Sequence, residues 1–147
     1  MWRRSERAPG TAGFTLIEII VVIAVIAVLA SVVSPMVFRN VSDAKMSAAR
    51  SQVEIFALAL DSYRVDNDEY PTTDLGLDAL RTAPDSVDVP NWRGPYIRRE
   101  VPFDPWGRPW VYVSPGDVNP RSYDLISYGR DGEPGGDEED ADVSSWN

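Results

Sequence analysis

Two places in this chain hold residues whose types and spacing could do chemistry. The first is the run DGEPGGDEEDAD near the C-terminus. Asp131, Glu133, Asp137, Glu138, Glu139, Asp140 and Asp142 put seven carboxylates within 12 residues. Hard oxygen ligands at flexible spacing suit Ca²⁺, which takes six to eight oxygens at about 2.3–2.6 Å. The spacing is not that of an EF-hand. A bland reading competes, since acidic runs are commonly solvated, disordered ends. Against it stand Gly132, Gly135 and Gly136, which permit a tight loop that turns carbonyls inward. Val143 and Trp146 follow and could pin the terminus back onto a core.

The second place is Glu18. It stands at the front edge of GFTLIEIIVVIAVIAVLASVVSP, and Ile19 to Phe38 is a run of 20 residues without a charge. Twenty helical residues span about 30 Å, one hydrocarbon thickness. A cleaved secretory signal would account for Arg3, Arg4 and Arg7 ahead of the apolar run, but not for its length. An ordinary membrane anchor would account for the length but not for Glu18. An unpaired charge in lipid costs on the order of 2.5–3.5 kcal/mol by insertion scales. Glu18 therefore asks for a positive partner, and none lies within the run. Another chain could supply it, or a cut after Gly13 could, by leaving a free α-amine on Phe14. Positions i and i+4 share a helix face, so the Phe14 amine and Glu18 could pair within one chain. Pairing between neighbouring copies would also set their axial stagger.

Composition narrows the rest. The chain has 147 residues with no Cys and no His. That excludes a disulfide scaffold, thiolate and imidazole metal sites and a Ser-His-Asp triad. The formal charge is −9; beyond residue 13 it is −11, from 11 basic and 22 acidic residues. A domain that acidic repels phosphate backbones, so no nucleic-acid partner is expected. No phosphate-cradling Gly-Lys motif is present.

The elements that position these residues follow from periodicity. Pro35 is expected to interrupt the apolar helix by removing a hydrogen bond. Beyond it, Val41, Ala44, Ala48, Val53, Phe56, Leu60 and Tyr63 recur at spacings of three to five, which predicts an amphipathic helix ending in DNDEYP. Residues 14 to about 65 thus read as one long, bent helix. Leu75, Leu77 and Leu80 mark a short helical turn. Trp110 to Val113 and residues 122–128 read as two short strands of a small antiparallel sheet laid on the helix. Trp92, Tyr96, Trp106 and Trp110 are expected to fill the core of a small, loop-rich domain rather than to stack on a sugar or peptide.

GFTLIE resembles a prepilin processing site, with Gly before the cut, Phe first in the mature chain and Glu fifth. YPTTDLGLDAL, NWRGPYI, VPFDPWGRPWVYVSPG and YDLISYGRDGEPGGDEEDADVSSW are similar to segments of the major pseudopilins of bacterial type II secretion, so the resemblance covers Gly13 to Trp146. It implies an α+β, type IV pilin-like fold: a long N-terminal helix packed against a small antiparallel sheet, with a C-terminal metal-binding loop. The implied parts are a leader (1–13), a transmembrane and filament-core helix (14–38), an amphipathic helix (39–66) and a loop-rich globular domain (67–147). It implies cleavage between Gly13 and Phe14 by a prepilin peptidase, N-methylation of Phe14, and assembly through Phe14 and Glu18. It implies calcium in loop 128–142, held by the side chains of Asp131, Asp140 and Asp142 and the carbonyls of Tyr128 and Glu133, with Asp137 and Glu138 as weaker candidates.

The function so implied is structural, not enzymatic. The chain would polymerise into a periplasmic helical filament, anchored by a single span in the bacterial inner membrane. Its other partners would be minor pseudopilins and the inner-membrane secretion platform. Filament growth would drive folded proteins across the outer membrane. The rivals are a type IV or competence pilin, a membrane-anchored calcium-binding module that never polymerises, and a secreted hydrolase working with two carboxylates. The first usually closes its C-terminal loop with a disulfide, which a chain without Cys lacks. The last lacks an evident acid–base pair.

Overall fold

A computed structural model describes residues 13–85 and 89–146, with the backbone alone described at 34–38. Arg3, Arg4, Arg7 and the rest of the expected leader, through residue 12, lie outside the described residues. Two compact units meet after Arg39, and each is taken by itself. One α-helix, α1, runs Leu16–Asn67 and contributes to both.

In the first unit α1 begins at a capped end. The Thr15 hydroxyl accepts a hydrogen bond from the Glu18 N–H at 3.2 Å, and the Thr15 carbonyl accepts one from the Ile19 N–H at 3.3 Å. Thr15 is thus the N-cap and Glu18 the third helical residue. The stretch Leu16–Val33 is 18 residues long, apolar and entirely exposed within the chain. The helix runs on through Pro35, as the expected single long helix from residue 14 to about 65 requires. Proline deletes one donor, and the helix-forming turns on either side carry the backbone through.

In the second unit α1 buries one stripe: Ala49, Val53, Phe56, Leu60 and Tyr63, at alternating spacings of four and three. The expected stripe was wrong in its first turns. Val41, Ala44 and Ala48 are exposed, and Met46 and Ala49 face inward instead. Ala48 to Val53 is a five-residue step, about 500° of turn, which leaves the face; Ala49 lies four back and stays on it. The helix closes with the Asn67 side chain donating to the Tyr63 carbonyl at 2.9 Å and Asp68 in the left-handed region at φ 67°.

Three strands complete the layer. β1 (Val111–Val113), β2 (Asp124–Ser127) and β3 (Val143–Ser144) form an antiparallel sheet in the order β1-β2-β3. Val111 pairs with Ile126 and Val113 with Asp124; Ile126 pairs with Ser144 and Ser127 with Val143. The third strand was not expected: it comes from the acidic tail, which is therefore tied into the sheet. Val143 is buried as anticipated, whereas Trp146 remains 38% exposed. Trp110, Tyr112, Tyr123, Leu125 and Val143 pack on the α1 stripe together with Leu77 and Leu80 of a 3-10 turn at Leu77–Leu80. Trp92, Tyr96 and Trp106 pack around the rim of that core, as large side chains must in a small domain.

Candidate functional site

The N-terminal candidates sit where α1 starts. Gly13 stands in open space, and Phe14 is 79% exposed. Because the helix starts at Leu16 and Thr15 caps it, Phe14 lies outside the helix. The shared-face argument for pairing Phe14 with Glu18 inside one chain therefore does not apply. Glu18 is exposed and makes no ion pair among the described residues. What Glu18 gains inside the chain is its place in the first turn, where a negative charge faces the positive end of the helix dipole.

The acidic loop, 128–142, joins the neighbouring strands β2 and β3, so both its ends are fixed. Its closure needs glycine at two points. A Cβ on Gly129 would stand 2.8 Å from the Asp140 backbone, and one on Gly136 would stand 2.5 Å from the Asp140 carbonyl oxygen. Both have positive φ, 59° and 88°. The backbone then crosses over itself. The Gly132 N–H donates to the Tyr128 carbonyl at 3.0 Å, and the Arg130 N–H to the Glu139 carbonyl at 2.9 Å.

The expected ligand residues fare differently. Asp131 Oδ1 accepts from the Glu133 N–H at 3.0 Å, and Asp142 Oδ2 accepts from the Gly135 N–H at 2.9 Å. Asp142 Oδ1 is buried with no hydrogen-bond partner. Asp140 is already paired: Arg130 Nε and Nη2 each donate to one of its oxygens at 2.9 Å. Those bonds and that charge push the guanidinium pKa above its ordinary value. The Asp137 carbonyl accepts from the Asp140 N–H at 3.0 Å, while the Asp137 and Glu138 side chains face solvent. Among the described residues, no three acids converge into a ready metal-holding group. The fold thus gathers the candidates on one loop without gathering their carboxylates.

Four residues that sequence reasoning missed hold this loop. The Arg108 guanidinium donates to the carbonyls of Gly129 at 2.7 Å, Arg130 at 2.5 Å and Asp131 at 2.8 Å. Arg130 also pairs with Glu139 at 3.6 Å, and Lys45 of α1 reaches Glu139 at 3.6 Å. Trp106 Nε1 donates to Glu139 Oε1 at 3.1 Å. Arg108 is itself aimed by buried Asp104. Asp104 Oδ1 accepts the N–H groups of Trp106 at 3.0 Å and Arg108 at 2.8 Å, and its Oδ2 accepts the Ser127 hydroxyl at 2.5 Å. A basic residue inside an acidic run, Arg130, was the one signal visible beforehand. Arg108 and Lys45 lie too far away in sequence to give any.

The model of type II secretion system protein G matches residues 36–146, and a prokaryotic N-terminal methylation motif matches residues 9–34. The chain belongs to the type II secretion system protein G family. Relatives named type II secretion system core protein G agree with it over most of their length. That of Pseudomonas aeruginosa is 42% identical over 92% of this chain and 94% of its own. That of Vibrio cholerae is 43% identical over 92% and 91%. That of Escherichia coli K12 is 44% identical over 91% and 90%. The crystal structure of the major pseudopilin of the type 2 secretion system of enterohaemorrhagic E. coli is similar, with a TM-score of 0.60 and 37% identity. The match covers 73% of this chain and 90% of that one. The protein G family is one of structural subunits, and its pilin-like α+β architecture is the one described above. With the methylation motif, the apolar stretch Leu16–Val33 fits a membrane-anchored protein.

Proposed function

We propose that this chain is the structural subunit of a type II secretion pseudopilus. A prepilin peptidase cuts between Gly13 and Phe14, and the new Phe14 amine is N-methylated. The apolar part of α1 anchors the subunit in the inner membrane, with the globular unit in the periplasm. Copies then stack into a helical filament in association with minor pseudopilins and the inner-membrane secretion platform, and its growth moves folded proteins across the outer membrane. The observation that carries this reading is the pair of family matches, which tile residues 9–34 and 36–146 with one residue between them.

The register of the stack rests on Glu18. It lacks an ion-pair partner among the described residues, and Phe14 lies off the helix. A neighbouring copy's Phe14 amine is the positive group that the assembly brings, and pairing with it removes the cost of an isolated charge in lipid. Mass spectrometry of protein extracted from membranes tests the processing. The expected product begins at monomethylated Phe14. A chain that keeps residue 1 in fully assembled material would end the proposal.

The proposal extends to calcium in loop 128–142. The buried, unpartnered Asp142 Oδ1 supports it, because such an atom asks for a cation or a donor. Asp131 and Asp142 would hold the ion with the carbonyls of Tyr128 and Glu133, and Asp140 would join if released by Arg130. Bound calcium would supply the positive charge that lets these oxygens sit together. Binding to the folded state alone adds about 2.7 kcal/mol of stability at a hundredfold excess over Kd. Thermal melting of the full chain in detergent, with calcium and with chelator, is expected to show that gain. Identical melting curves would remove calcium from the reading and leave the filament role standing.

A further inference from the structure

The acidic loop carries its own cation. Arg130 covers both oxygens of Asp140 in a bidentate fork, each contact 2.9 Å, and reaches Glu139 Oε2 at 3.6 Å. Its N–H also donates to the Glu139 carbonyl at 2.9 Å, so the residue is held over the short 3-10 turn Glu138–Asp140 by side chain and backbone together. The other guanidinium in the region behaves differently. Arg108 is part-buried and bonds three backbone carbonyls, and it pairs with no carboxylate among the described residues. Removing it would strand those carbonyls. The Arg130 side chain, by contrast, is 60% exposed, and water can take its place.

We infer that Arg130 is the resident counter-ion of the loop and that a divalent cation enters by displacing it from Asp140. This rests on the calcium reading above. The two cations compete for Asp140, because a bidentate guanidinium takes the carboxylate edge that a chelating metal would use and its charge repels a second cation nearby. Arg130 therefore keeps the ion-free loop from flying apart under its own repulsion, and it weakens calcium binding by the strength of its own pair. Arg108 is not exchanged, so the start of the loop keeps its shape in both states. The device makes the loop tolerant of low calcium, at the expense of affinity.

The test uses the full chain in detergent micelles, with calcium titrated calorimetrically into wild type, Arg130→Gln and Arg130→Lys. Arg121→Gln is the control; Arg121 is exposed and lies outside the loop, and its loss changes net charge equally. Arg130→Gln is expected to bind calcium roughly 3- to 10-fold more tightly than wild type, with Arg130→Lys between them and Arg121→Gln unchanged. Without calcium, Arg130→Gln is expected to melt below wild type, and saturating calcium closes that gap. In wild type the Arg130 Nε–H resonance is expected to move to a solvent-exchanging position as calcium is added, a readout that needs no variant. If wild type binds calcium and Arg130→Gln binds it no better, Arg130 does not compete and the calcium reading alone survives. If only Arg130→Gln binds, competition holds and the calcium reading fails for the native chain. If neither binds, both are overturned.

Discussion

Glu18 and the acidic loop are both negative, and they are provided for in opposite ways. In the loop, counter-charge comes from the same chain. Arg130 covers Asp140, and Lys45 and Arg130 flank Glu139. At the front of the apolar helix, Glu18 makes no ion pair among the described residues and has only a helix dipole to face. A carboxylate balanced by its own chain serves folding. On the proposed function, one left unbalanced at the edge of an apolar span takes its counter-charge from another molecule. The difference also separates the measurements: changes in the loop should move melting temperature, and changes at Glu18 should move assembly.

The sharpest way to break that comparison is Glu18→Gln. The substitution keeps size and hydrogen-bonding capacity and removes the charge. Filament formation in membranes, followed by cross-linking of neighbouring copies, is expected to fall by about 100-fold, the scale set by an intramembrane charge worth 2.5–3.5 kcal/mol. The melting of the globular unit should not change. Loss of both would mean that Glu18 serves folding, and the contrast with the loop would be gone.

Asp104→Ala acts on the other side. It strips the acceptors from the N–H groups of Trp106 and Arg108 and from the Ser127 hydroxyl, all partly or fully buried. Stranded buried donors cost about 1–3 kcal/mol each before relaxation, so a loss of about 3 kcal/mol is expected by denaturant unfolding. Because Arg108 is aimed by Asp104, amide exchange in 129–131 should quicken more than exchange in α1. Assembly of the protein that remains folded should persist.

What the sequence makes legible and what it hides is a matter of range. Glu18, Phe14 and Gly13 are neighbours in sequence, and their meaning rests on depth in an apolar run, which is counted directly. The α1 stripe from Val53 to Tyr63 and both early strands follow from local periodicity in the same way. The failures came where partners are distant or the local rule tolerates slack. Accepting a five-residue step put Ala48 in place of Ala49. β3 has two residues, too few to show an alternation, and it exists because β2 offers an edge. Arg108, more than 20 residues from the carbonyls it holds, leaves no periodic trace. Thr15 was a missed local signal: Thr-x-x-Glu before an apolar run announces a helix start.

Alkaline pH probes the buried phenols of the globular unit. Burial raises the Tyr123 phenol from 10.0 to about 12, helped by Asp61 nearby, and burial pushes Tyr112 up as well. A phenol whose folded pKa exceeds its unfolded one stabilises the fold fully below the unfolded value. That contribution fades as pH rises through the folded value. Melting temperature should thus hold steady up to pH 10 and fall between 10 and 12. Tyr123→Phe is expected to melt as wild type does near neutrality and to show a shallower alkaline decline, the remainder belonging to Tyr112, Tyr63 and Tyr96, whose phenols burial also raises. An equally steep decline would place the titration elsewhere.

The smallest expected effect is the one that sharpens the comparison most. Thr15 and Glu18 form one local unit, since the Thr15 hydroxyl accepts the Glu18 N–H at 3.2 Å. Glu18 therefore has a second conceivable use, as the acid of a capped helix start, and the effect of Glu18→Gln alone does not separate capping from pairing. Thr15→Ala does. It removes the cap and leaves the charge, and it should cost about 1 kcal/mol, confined to the first turn. The measurement is amide exchange at Ile17, Glu18 and Ile19, which should quicken by about fivefold, a factor that corresponds to about 1 kcal/mol. Assembly should remain within about threefold of wild type, because the cap holds a backbone that the following apolar turns hold as well. If Thr15→Ala abolished assembly as completely as Glu18→Gln, the acid would matter as part of the helix start rather than as an ion awaiting a partner. The front of α1 and the acidic loop would then be two versions of the same thing: negative charge balanced within its own chain.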